Sequence, residues 1–181
     1  MYRIKGTLEG LADLLYNSPG PVLKAKGKAP SKMSVEELDA LAMEKLHEGP
    51  NGLFLPHGAF EKAVFEGATR AGLKDGKASL SRLLQAIMFI EGELLLHRDK
   101  PDYIHTVWGR VPPRTGAMVP IRRPAILAGW KIGFSLMISL DRIPDTEIRQ
   151  AIDAAGLFVG FGSWRPKFGR FKVIDWAASS V

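Results

Sequence analysis

The stretch "GFGSWRPKFGRF", residues 160–171, sets Gly160, Gly162 and Gly169 among Arg165, Lys167 and Arg170, with Trp164 and Phe168 between them. Glycines let a backbone approach a ligand closely, and exposed loop amides can bind phosphate oxygens. Arginines add bidentate contacts to phosphate, and lysine adds a point charge. Indole and phenyl rings can stack on unpaired bases. The chemistry expected of such a loop is the non-covalent grip of a polyanion. The plainer alternative is a long turn whose rings pack on its own domain. A second group is Trp108, Arg110, Arg114, Arg122 and Arg123, flanking the loop "PPRTGA". A third is Lys24, Lys26 and Lys28, with Lys32 close by, in a Pro/Gly-rich stretch.

Signatures of catalysis are weak. His47, His57, His97 and His105 are scattered, with no metal-ligand spacing. Glu91 and Glu93 form an i, i+2 pair, which on a strand is most simply a solvated face. Ser163 has no general base near it in sequence. The glycine-rich loop lacks a Gly-Lys-Ser/Thr ending, and a strand rather than a helix is expected after it, so neither a phosphate-binding Walker loop nor a dinucleotide fingerprint fits. No catalytic residue, metal or cofactor is assigned.

The charge balance supports an anionic partner. The net charge is +6 and the isoelectric point about 9.7. Distribution matters more than the total. No Asp or Glu occurs from Tyr103 to Leu140 or from Ala154 to Ile174, and both stretches carry arginines. The acids collect in 36–48 and 141–153. The chain has no cysteine, no apolar run long enough for a bilayer and no basic-then-apolar leader, which leads us to expect a cytoplasmic protein with no membrane partner.

The elements that must position these groups are read from periodicity. Residues 2–8 alternate as a strand, with a helical turn expected at "LADLLY". Residues 17–32 form a basic flexible loop. Ser34-Val-Glu-Glu37 is a capping box opening a helix to about Leu46. A short strand at 53–55 precedes a helix over 57–71. Residues 79–86 fit helix or strand, and 87–97 read as a strand broken at Gly92. Residues 104–111 and 118–122 make a hairpin arm, 127–140 a long strand, and 144–155 an amphipathic helix stopped by Gly156. "LFVGF" reads as a strand before the glycine-rich loop, with a last strand after it. This order predicts one α+β domain, 1–181, with a ferredoxin-like or RNA-recognition-motif-like βαββαβ core. The loop 17–32 and the arm 104–122 are insertions. In such a core one sheet face stays free for a ligand.

With this order in place, four stretches carry a resemblance: "IKGTLEGLADLLYN", "GLFLPHGAFEKAVFEGATRAG", "RRPAILAGWKIGFSLMI" and, most specifically, "AAGLFVGFGSWRPKFGRFKV". They resemble the RAMP superfamily, in particular the backbone subunits of CRISPR effector complexes and small phage-encoded relatives. The resemblance implies the fold, binding of single-stranded RNA or DNA, and assembly along the strand as a homo-oligomer or with other effector-complex subunits. Where RNA-cleaving members carry an aspartate after the first strand, this chain offers only Asp13, inside an apolar run. A subunit that binds without cleaving is the leading expectation, with RNA favoured over DNA. The alternatives are a protein-interaction or assembly factor, phage or host-defence related, and a metal-dependent endoribonuclease.

Overall fold

The computed structural model describes residues 1–18, 30–111 and 114–181. Lys24, Lys26 and Lys28 lie outside the described residues, as does most of the expected basic loop. In chain order the elements begin with β1 (Tyr2–Gly10), β2 (Leu14–Leu15), α1 (Val35–Met43), β3 (Glu48–Gly49), β4 (Gly52–Leu55) and α2 (His57–Arg70). Next come β5 (Lys74–Asp75), β6 (Ala78–Ser79), α3 (Leu80–Ile87), β7 (Met88–Glu91) and β8 (Leu94–Leu95). The chain closes with β9 (Tyr103–Val111), β10 (Ala117–Ile126), β11 (Lys131–Ile138), α4 (Asp145–Phe158) and β12 (Phe171–Ser180).

The central sheet is antiparallel, in the order β12-β1-β11-β7. Its two middle strands alternate. Ile4 and Leu8 of β1, and Ile132, Phe134, Leu136 and Ile138 of β11, point to one buried face. That face is covered by Phe60, Val64 and Ala68 of α2 and by Ile148, Ile152 and Ala155 of α4. The two helices touch closely because Gly67 has no side chain; a Cβ there would lie 2.4 Å from the Ala155 nitrogen. A second sheet, β2-β10-β9, carries the hairpin arm.

Most of the expected elements are present. The Ser34 capping box closes through both hydrogen bonds, at 2.8 and 3.2 Å. The strand broken at Gly92 is β7 and β8, with Gly92 at φ +73°. The differences have physical causes. "LADLLY" supplies β2 rather than a helical turn, because Leu14 and Leu15 pair with Ile126 and Ala125 of the arm. The ambiguous segment 79–86 belongs to α3, whose Leu80, Leu84 and Ile87 share a buried face. Gly156 does not stop α4. It lets the helix pass against β12, where a Cβ would meet the Phe171 carbonyl oxygen at 2.1 Å. Leu157 and Phe158, expected in a strand, therefore complete the helix.

Candidate nucleic-acid interface

The glycine-rich loop joins α4 to β12 and is anchored from within. Phe161 is buried and stacks on Phe171 at 4.4 Å. Its amide donates to the Gly169 carbonyl, and the Gly169 amide donates to the Asp13 carbonyl. At Gly169, φ is +73° and a Cβ would lie 1.9 Å from the Phe161 oxygen, so only glycine fits. The Ser163 amide donates to the Leu15 carbonyl, tying the loop to β2 and through it to the arm. The amides of Gly160 and Gly169 are thus spent on the fold, at Ala155 and Asp13 respectively. This departs from the expectation that glycine amides cradle phosphate: their positive-φ turns serve chain packing.

Two side chains of the loop, Trp164 and Phe168, face the arm. In the β9–β10 register, Arg123 stands opposite His105, and both point to the loop side. The Arg123 guanidinium lies over the Trp164 ring, 4.2 Å from its centroid. His105 meets Trp164 at 5.4 Å and Phe168 at 5.1 Å, both edge-on. Arg123 Nε and Nη1 and Arg170 Nε are buried with no hydrogen-bond partner among the described residues. Burial lowers the tendency of Arg123 to hold its charge. Lys45 is lowered too, by burial and then by the charge of Arg123. Lys167 extends outward, exposed, 5.9 Å over Phe168, and Arg165 is exposed, with one long contact to the Gly160 carbonyl.

Neighbouring residues on a strand point to opposite faces, and this separates Arg122 from Arg123. Arg122 is turned away from the loop and paired with Asp39 of α1. Trp108, Arg110 and Met118 share the face of Arg122 but lie farther along the hairpin, where all three are exposed. Arg110 donates to the Gly116 carbonyl, and Arg114 is exposed at the turn with φ +73°. The structure therefore brings together Trp164, Phe168 and Arg123, and adds His105, which sequence spacing did not single out. Its place opposite Arg123 in the hairpin register was the signal for it.

The open face of the central sheet carries Arg3, Lys5, Lys131 and Lys172, and two of these, Arg3 and Lys172, are paired with carboxylates. Arg3 makes two hydrogen bonds to Glu91, at 2.6 and 3.0 Å, and Ser135 donates to the same carboxylate. Lys172 pairs with Glu9 at 2.8 Å. Both carboxylates are held below the usual range, each chiefly by the hydrogen bond from its basic partner. Asp13 is likewise occupied: it accepts from the Tyr103 hydroxyl at 2.6 Å and from the Ala128 amide at 2.8 Å. The Tyr103 hydroxyl is pushed up to about 12, first by burial and then by Asp13. No cluster of three or more metal-ligating side chains occurs among the described residues, and no helix among them is long and apolar enough to cross a membrane.

No family model and no curated protein matches this sequence. Among solved structures, the chain superposes on one from the cryo-EM structure of the Type III-B Cmr-beta bound to cognate target RNA. The TM-score is 0.64 and the sequence identity 8%, over 99% of this chain and 61% of that one. The likeness is one of fold, and this chain spans about three-fifths of the other's length.

Proposed function

We propose that this chain is a non-catalytic subunit that binds single-stranded nucleic acid, RNA in preference to DNA, between its glycine-rich loop and its hairpin arm. The core is read as ferredoxin-like. Counted along the chain, β1, β7, β11 and β12 stand in the order 4-1-3-2, with α2 and α4 in the crossovers. The observation that carries the reading is the meeting of Arg123, Trp164, His105 and Phe168, with guanidinium nitrogens left unpaired. Buried donors without partners are rare and call for an explanation. A phosphate oxygen reached by a small shift of the Trp164 ring supplies one, and the rings supply stacking surface worth about 1–3 kcal/mol per base. The RNA-bound structure of the similar fold supports the choice of ligand class. Assembly along the strand follows as a secondary proposal.

The test is fluorescence polarisation of labelled single-stranded RNA with folded, tag-free protein. Arg165→Glu with Lys167→Glu changes two exposed loop cations and leaves the core untouched. Binding at low salt is expected to fall at least tenfold in this variant. Unchanged binding, or none in the parent protein, contradicts the reading. A second reading has its own observation: Trp108 and Met118 are 68% and 54% exposed on the hairpin, which suits docking of another protein subunit. Under that reading the double charge swap leaves RNA affinity as it was, and Trp108→Ala abolishes subunit capture.

A further inference from the structure

Beside the loop, bordered by Leu14 and Leu15 of β2, lies a second feature. A half-enclosed cavity of about 210 Å³ opens between Ser163, the start of α2 and the residues around β2. Its apolar walls include Leu14, Leu55 and Phe161, with Tyr16 beside them. Polar residues also line it: His47 and Ser163, which are half-buried, and Asn17, Lys62 and Arg165, which are exposed. Among these, none but Arg165 and the His47 ring has a side-chain partner among the described residues; Arg165 has its long contact to Gly160, and His47 packs at a tilt between Tyr16 and Phe54. Burial disfavours the charged form of His47, and a neutral imidazole can give or take a hydrogen bond.

The volume is below the roughly 300–1,000 Å³ of pockets that hold drug-sized ligands, and so suits one small ring system. Apolar walls with a few convergent polar groups are the pattern of a pre-formed small-molecule site. The polar set here reads one class of ligand. An amide, a hydroxyl and a neutral imidazole match the donor and acceptor edge of a heterocycle, and two cations at the mouth match a phosphate.

We propose that this cavity holds one nucleobase turned out of the bound strand, with its phosphate at Lys62 and Arg165. The inference rests on the single-strand reading above. Its geometry is continuous with that reading: Ser163 and Arg165 line the pocket, while Trp164 between them turns to the arm. One loop would thus hold the strand on one side and read a base on the other.

Two measurements test this. The first is the amide NMR spectrum of the protein titrated with each of the four ribonucleoside monophosphates. Shifts are expected at Asn17, His47, Lys62 and Ser163, and are expected to vanish in Ala59→Phe, which fills the pocket from α2. Asn17→Ala with Lys62→Ala gives the same readout without adding bulk, should the larger side chain disturb folding. The second is polarisation with RNA oligomers made abasic at one position at a time. One position is expected to cost the parent protein about tenfold in affinity and to cost Ala59→Phe nothing. Oligomers that bind with no sensitive position, or shifts that fall elsewhere, overturn the pocket and leave the loop–arm reading standing. Oligomers that fail to bind the parent protein overturn the loop–arm reading and the strand role of the pocket together.

Discussion

At the scale of single residues, the account turns on groups whose partners are missing or fully used. Arg123 is of the first kind. A guanidinium over an indole gains about 0.5–2 kcal/mol, which does not offset two buried donors left without acceptors. Asp13 is of the second kind. Both of its oxygens accept hydrogen bonds, from the Tyr103 hydroxyl and the Ala128 amide, and these hold the segment after β1 to the arm. Asp13→Ala is expected to destabilise the fold by about 1–3 kcal/mol, since it strands the Tyr103 hydroxyl. Thermal denaturation should show a fall of several degrees, partly restored in Asp13→Asn, which keeps one acceptor. A melting temperature equal to that of the parent would remove Asp13 from this structural role. The sequence showed the types in the loop but not their partners. Arg122 and Arg123 look equivalent as neighbours in a basic run, and only strand alternation sends one to Asp39 and the other to Trp164.

At the scale of elements, local signals were legible where they were self-contained. The Ser34 capping box, the break at Gly92 and the two hairpin strands could be read because each depends on residues a few positions apart. The misreadings fall where a distant contact decides. Gly156 reads as a helix stop, yet it is there for the approach of Phe171. "LADLLY" reads as helix, yet it is captured as β2 by β10. On the open face of the sheet, where the ligand was expected, Glu9 and Glu91 pair with Lys172 and Arg3, while Lys5 and Lys131 stay exposed. That pairing has a pH signature. The folded-state pKa of Glu91 is lowered by Arg3 and Ser135, so its contribution to stability is complete above the ordinary glutamate value of about 4.3. It is lost as pH falls through the lowered folded-state value. Melting temperatures measured from pH 7 downward should therefore drop less steeply below about pH 4.3 in Glu91→Gln than in the parent. Parallel curves would show that the Arg3–Glu91 contact does not persist in solution.

At the scale of the whole molecule, two sheets divide the work. The central sheet and its two helices hold the core, while β2-β10-β9 and the glycine-rich loop present rings and unpaired cations beside each other. The segregation of charge seen in the sequence survives in this arrangement, because both acid-free stretches contribute to the same place. What composition could not reveal is which side of the molecule that place occupies. The most direct test is to photocross-link single-stranded RNA carrying 4-thiouridine to the tag-free protein and to map the attached peptides by mass spectrometry. The account predicts cross-links in residues 161–172 and 103–125. Cross-links confined to α2, α3 and α4, with binding intact, would contradict it.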